Sequence, residues 1–262
     1  MTPGPLIGVA FALLAILVGN FLEGGHAGSM VGGPAALIVL GGTIGAVMVQ
    51  YPFSTLGAAM KAAGATFKKP AVDPAKIVEE IVDYANRARR DGILALEKVS
   101  ESASDPFLRK ALMMAVDGVD SQTLRDTLDV TISQEEHHGE DAAKVWEAMG
   151  GYSPTVGIIG AVLGLIHVMS NLSDIAAVGH GIAAAFVATI YGVFVANILF
   201  LPLGSRIKMN VREQALLREL TLTGVLAIQA GLNPKLVRER LSQFLSEHGG
   251  KHGAGSPAKA AG

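Results

Sequence analysis

The chain contains no cysteine in its 262 residues. Disulfides, thiolate nucleophiles and cysteine-ligated metals are therefore excluded. Aromatic residues make up only 5% and tryptophan occurs once, and no basic stripe is interleaved with aromatics, so nothing points to a nucleic-acid partner. Charge is scarce and unevenly placed. Charged residues are 17% of the total, and the stretches 6–22, 35–60, 154–172 and 182–203 contain no acidic or basic side chain except His167. No G-x-x-x-x-G-K-[ST] loop is present. Gly41-Gly42-x-x-Gly45 is a poor match within an apolar stretch where phosphate could not reside. No nucleophile elbow is evident, so enzymatic function is not expected and no cofactor is implied.

The four uncharged stretches predict four membrane spans, because an ionised side chain costs about 2.5–3.5 kcal/mol at the centre of a spanning helix. Half the residues are hydrophobic and the mean hydropathy is +0.42, unusual for a soluble domain. The leading Met1-Thr2-Pro3-Gly4-Pro5 lacks the positive charge of a signal peptide, and the apolar run continues to Leu22, so an uncleaved span is expected. Lys61, Lys68 and Lys69 follow the second stretch and Arg206, Lys208 and Arg212 follow the fourth, whereas 23–34 and 170–181 contain no lysine or arginine. The positive-inside rule then puts both long polar segments and both termini in the cytoplasm.

The expected organisation is all-α. Spans one and two occupy 1–60, a cytoplasmic helical domain 61–153, spans three and four 154–205, cytoplasmic helices 206–247 and a disordered tail 248–262. Asp73-Pro74 and Asp105-Pro106 read as helix starts. Gly231 reads as a C-cap before a further start at Asn233-Pro234. No segment alternates with period two over a useful length. The cluster Glu135-Glu136-His137-His138 with Glu140 and Asp141 is read as a solvated helix face and not a metal site, since adjacent histidines diverge by about 100° on a helix.

The spans carry no carboxylate to hold a proton or sodium ion. Either the protein conducts nothing, or it supplies one wall of a path whose carboxylate belongs to another subunit. Gly157, Gly160 and Gly164 recur at helical spacing and leave a close-approach face. Thr155, Thr189 and Asn197 are the hydrogen-bonding side chains on offer, and Pro154 and Pro202 bracket the pair of spans. For an arbitrary span the prolines would simply end helices, Thr189 would bond its own helix carbonyl, and His167 would be a packing residue, with a proton relay as its alternative.

At this point a family resemblance emerges. Tyr152-Ser153-Pro154-Thr155-Val156-Gly157-Ile158-Ile159-Gly160-Ala161-Val162-Leu163-Gly164-Leu165-Ile166 resembles the third-span signature of the MotA/PomA flagellar motor stator subunits. Leu37-Ile38-Val39-Leu40-Gly41-Gly42-Thr43-Ile44-Gly45-Ala46 is similar to their second span. Gly224 through Pro234 resembles their C-terminal cytoplasmic signature, and Arg89-Arg90-Asp91-Gly92-Ile93-Leu94-Ala95-Leu96-Glu97 resembles their rotor-contacting segment. The resemblance implies an A-type stator subunit in the bacterial inner membrane, most simply a pentamer around a dimer of B-type (MotB/PomB-like) subunits. The B-type helix would supply the ion-binding aspartate, and ion flow would drive torque on the rotor protein FliG. It also implies rotor contact through Arg89, Arg90 and Glu97. Pro154, Thr155, Thr189 and Pro202 would shape the ion path. Sodium-driven members carry a threonine where this chain has Ala161, so a proton is the expected ion. The alternatives are an ExbB/TolQ-type energiser, which usually has three spans, and a passive membrane scaffold.

Overall fold

The computed structural model describes residues 4–68, 73–170, 172–173 and 175–249. Among them the regular structure is entirely helical. The helices are α1 (Gly4–Leu22), α2 (Gly33–Ala36), α3 (Gly42–Gln50), α4 (Phe53–Ala65), α5 (Pro74–Asp91), α6 (Glu97–Ser100), α7 (Pro106–Val116), α8 (Ser121–Met169), α9 (Ile175–Phe194), α10 (Leu201–Gln229) and α11 (Pro234–Gly249). A π turn, Leu37–Gly41, joins α2 to α3, and a second, Val195–Phe200, joins α9 to α10. Four helical segments, Gly4–Leu22, Gly33–Gln50, Ser121–Met169 and Gly181–Gln229, are long and apolar enough to cross a membrane.

The chain forms two compact units. The first comprises Met1–Lys69 and His137–Val211, the second Pro70–Glu136 and Arg212–Gly262. In the second unit, α5 buries a stripe of Ile77, Val78, Ile81, Val82, Tyr84 and Ala85. These meet Leu108 and Leu112 of α7, Leu124 and Leu128 of α8, Val225 of α10 and Leu241 of α11, in one core. The caps expected from the sequence are made: Asp73 accepts from the Ala75 amide at 3.0 Å and Asp105 from the Phe107 and Leu108 amides at 2.9 and 3.0 Å. Each cap contributes about 1 kcal/mol. Gly231 has φ +68° directly after α10, a backbone that a side chain would strain.

Glu80 ties α5 to the start of α7. It accepts the Tyr84 hydroxyl at 2.7 Å and the Ser104 amide at 3.0 Å, and also the Ser104 hydroxyl. Burial, with this carboxylate, pushes the Tyr84 phenol well up from its ordinary value. Glu79 pairs with Arg238 of α11, and the hydrogen bond holds its carboxyl below the usual range. Arg218 lies 5.9 Å over the Phe107 ring and pairs with Glu135; burial draws its guanidinium below its ordinary value.

In the first unit, Trp146 of α8 donates its indole N–H to the buried Ala59 carbonyl of α4 at 3.0 Å and packs 6.0 Å from Phe200. Lys208 of α10 pairs with Glu147 of α8 at 2.7 Å. The Tyr191 hydroxyl donates to the Met30 carbonyl at 2.8 Å and accepts from the Gly32 amide at 3.0 Å. α1 buries no residue, and its Phe11 and Phe21 are exposed.

Several elements differ from the sequence reading. The apolar stretch 35–60 is two helices, because Pro52 forces Tyr51 into extended backbone (φ −122°, ψ 142°) and ends the span at Gln50. Residues 121–149 and the third span form the single helix α8, with Pro154 inside it. The charged 206–229 segment likewise continues the helical run Gly181–Gln229, and Pro202 lies inside that run, just after the π turn Val195–Phe200. Neither proline ends a helix. Residues 248 and 249 of the expected tail belong to α11, which runs to Gly249; residues 250–262 lie outside the described residues.

Candidate functional site

The glycines of α8 are where its backbone meets α9. A side-chain carbon at Gly157 would stand 2.9 Å from the Ala188 carbonyl oxygen and 3.4 Å from the Thr189 Cα. One at Gly160 would stand 2.9 Å from the Ala188 Cβ, and one at Gly164 3.1 Å from the Ala185 Cβ. From the other side, a carbon at Gly192 would meet the Ser153 carbonyl oxygen at 2.5 Å and the Pro154 Cα at 3.2 Å. Pro154, Gly157, Thr189 and Gly192 are thus gathered at one antiparallel contact. Without a hydrophobic driving force between helices in lipid, such close backbone approach is what holds spans together.

A second helix completes the group. A carbon at Gly42 of α3 would lie 2.7 Å from Val156, and Ile38 lies against Gly160. Lower on α8, Gly150 faces Leu201 and Gly204 faces the Ala143 carbonyl and Glu147. The register therefore runs from Gly157–Gly192 through Gly150–Leu201 to Glu147–Gly204.

The hydroxyls divide into two kinds. Thr155 is exposed and donates to the Tyr152 carbonyl at 2.7 Å. Thr189 is half-buried and points back to the Ala185 carbonyl at 3.4 Å, a long and weak bond. Asn197 bonds its own helix through the Val193 carbonyl at 2.9 Å. By contrast, Ser153 and Thr43 are fully buried and their hydroxyls meet no hydrogen-bond partner among the described residues. Ala161 is half-buried and Pro202 exposed. His167 is exposed on α8, away from the residues just named in the Gly157–Gly192 contact.

The charged candidates sit in the second unit. Arg89 and Arg90 are exposed in the last turn of α5, where cations complement the helix dipole. Gly92, at φ +82°, turns the chain out of α5, and Glu97 is exposed at the start of α6. Arg89 also lines a cavity of about 370 Å³ with Ala85, Ile93, Ala115 and Leu232. The acidic and histidine cluster does not converge: Glu135 pairs with Arg218, Asp141 with Lys144 at 2.8 Å, and His137 lies 3.7 Å from Asp141. The lysine lowers the Asp141 pKa.

The sequence reading missed the α9 side of the contact. Gly181, Ala185, Ala188 and Gly192 form a small-residue stripe at helical spacing that complements the α8 glycines, and that signal was present. The two π turns and the buried Ser153 and Thr43 have no comparable sequence signal.

Comparison with known proteins agrees with this geometry. The profile of the MotA/TolQ/ExbB proton channel family matches residues 99–220, and that of the motility protein A N-terminal region matches residues 6–90. Motility protein A of Bacillus subtilis is 34% identical over 92% of this chain and 89% of its own. Chemotaxis protein PomA of Vibrio alginolyticus is 33% identical over 93% of this chain and 94% of its own. The C. jejuni MotAB structure superposes with a TM-score of 0.90 at 30% identity, covering 99% of this chain and 100% of that one. The flagellar MotAB stator complex of Bacillus subtilis gives 0.86 at 33% identity, covering 95% of this chain and 98% of that one.

Proposed function

The chain belongs to the MotA/PomA family of flagellar motor stator subunits, and we propose that it walls a proton path completed by the aspartate of a B-type partner and turns proton flow into torque on FliG. It is a multi-pass membrane protein of a channel-type family, not an enzyme family. The observation that carries the proposal is the contact of α8 with α9. It gathers Pro154, Gly157, Thr189 and Gly192 in a span pair that lacks any carboxylate of its own. A wall of this kind has backbone and hydroxyl oxygens to offer an ion but no group to carry its charge.

The partner dimer sits inside a ring of five copies of this chain. Pro154 and Pro202 couple the path to movement of the second unit, where Arg89, Arg90 and Glu97 engage FliG. Segments 61–153 and 206–247 and both termini face the cytoplasm. The ion is a proton, as the Ala161 side chain offers no oxygen to sodium. The N-terminal motility protein A match and the four candidate spans favour the motor over an ExbB/TolQ-type energiser. Deleting the gene, and separately purifying the tagged protein from membranes, tests this. The expected result is a non-swimming strain and co-purification of a one-span subunit bearing a peptidoglycan-binding domain. A swimming deletion strain that has no other stator, or a protein that purifies alone, overturns it.

A further inference from the structure

We infer that a cavity in the second unit, where α5, α7 and α10 finish, takes one apolar side chain of the rotor protein, beside a carboxylate that pairs with Arg89. This rests on the rotor contact proposed above and adds an apolar anchor to it. Three glycine turns meet at that end of the unit. Gly92 follows α5 at φ +82°, Gly118 lies just beyond α7 at φ +81° and Gly231 just beyond α10 at φ +68°. Gln229 ties the turns to the start of α8, since it accepts the Ser121 hydroxyl at 2.9 Å and donates to the Val119 carbonyl. Gly118 and Gly231 border the cavity of about 370 Å³ that Arg89 lines.

The buried Ala85, Ala115 and Ile228 form its floor, and the half-buried Ala88, Ile93 and Leu232 its walls. A cavity of about 150 Å³ already holds a benzene-sized group, so there is room for a leucine or phenylalanine side chain. Arg89, Gly118 and Gly231 are exposed and make the mouth. Nothing lies within 4 Å of where a Cβ would stand on either glycine, yet their positive φ disfavours a side chain, so the mouth stays open. Leu94, next to Ile93, is 69% exposed and continues the apolar surface outside. Neither Arg89 nor Arg90 has an ion-pair partner among the described residues. An exposed ion pair contributes little by itself. An apolar side chain taken out of water contributes more, and such anchors sit inside a rim of weaker charged contacts. Asp117, exposed beside Gly118, repels a carboxylate, which places the partner's acidic residue over α5. The partner that fits is a helix with an apolar residue three or four positions from a carboxylate, so that both share one face.

The test measures FliG binding to the purified protein, with its co-purifying subunits, in lipid nanodiscs. Wild type, Ala88→Leu and Arg89→Ala are compared at about 0.1 M and about 1 M salt, where the Debye length is about 10 and about 3 Å. Ala88→Leu puts a leucine into the cavity from its own wall and changes no charge. It should leave the melting temperature at or above that of the wild type and weaken FliG binding by about tenfold or more at both salts. Arg89→Ala should weaken binding at the lower salt and much less at the higher, and wild-type binding should survive the higher salt. If Ala88→Leu binds like wild type while Arg89→Ala does not, the cavity proposal is overturned and the rotor contact stands. If neither variant weakens binding, or FliG does not bind at all, the rotor contact falls and this proposal with it. If Ala88→Leu fails to assemble, the wild-type salt series decides: binding lost at the higher salt overturns the anchor, and binding retained supports it.

Discussion

Gly192 and Pro154 meet backbone to backbone, so that a methyl group on Gly192 would stand 3.2 Å from the proline Cα and 2.5 Å from the Ser153 carbonyl oxygen. Neither neighbour is the flexible end of a side chain, so neither can yield without moving a helix. Gly192→Ala should therefore separate α8 from α9 and cost about 1–3 kcal/mol as overpacking. The measurement is the melting temperature of the detergent-purified protein together with swimming. Gly151→Ala is the control, since nothing lies within 4 Å of that position. Equal melting temperatures for the two variants would show that the contact tolerates a side chain.

The charges proposed to engage the rotor give a second prediction. Arg89 and Glu97 are exposed and lie outside the candidate spans. Exposed charges contribute little to folding, so Arg89→Glu with Glu97→Lys should leave membrane insertion and complex purification unchanged while torque falls. Opposite reversals on FliG should restore part of it. A double variant with full torque on an unaltered rotor would remove these residues from the contact.

The fold was readable in the sequence where one chemical preference decided the outcome. Charge exclusion located the apolar segments, and Asp-Pro pairs located the starts of α5 and α7. It was misread where two preferences competed. Pro154 is a helix breaker by propensity, yet α8 passes through it, because a helix in lipid has no better alternative for its backbone groups. Pro52 breaks an apolar run that looked continuous, since the chain there leaves the span. At the candidate site, the α8 glycines were visible as a periodic stripe. Their meeting with Ala185, Ala188 and Gly192 is a matter of register between helices, and a single chain's pattern does not encode register on its face. The sequence carries no separate signal for Ser153; its burial without a partner among the described residues exists only once the helices are packed.

Tyr84 gives a prediction in pH. Its phenol is held well above the ordinary value, first by burial and then by its bond to Glu80. The folded state thus keeps its proton where the unfolded chain releases it. The stability this contributes is complete below the unfolded value, about 10, and is lost as pH rises toward the folded one. Tyr84→Phe should remove the added alkaline sensitivity and cost about 1 kcal/mol at neutral pH for the lost hydrogen bond. Thermal melting of the purified protein across the alkaline range checks this; parallel curves for the two proteins would show that Tyr84 does not titrate late.

Assembly is tested by mass. α1 buries none of its residues within the chain, and its apolar surface is suited to lipid or to a neighbouring copy. Native mass spectrometry of the complex released from detergent should give five copies of this chain with two of the B-type subunit. A monomer, or a ring that contains no partner, would refute the stoichiometry.

The ion is decided by the oxygens available along the path. In the proposed mechanism the partner's aspartate takes a cation from water beside the contact of α8 and α9. Thr155 and Thr189 already donate their hydroxyl protons to helix carbonyls, though their lone pairs remain free to accept or to ligate. At Ala161 a methyl group stands where a further hydroxyl would be needed. Sodium has to replace a shell of several oxygens, and each missing ligand penalises it. A proton needs only the carboxylate and a connecting water. Motor speed should therefore follow the proton-motive force and remain unchanged when sodium is replaced by potassium at constant pH and membrane potential. Ala161→Thr should not by itself create sodium dependence, because in the proposed mechanism selectivity also depends on the partner helix. Tethered-cell rotation measures both, and a wild-type motor that stops in potassium would show that the path finds its oxygens elsewhere and carries sodium.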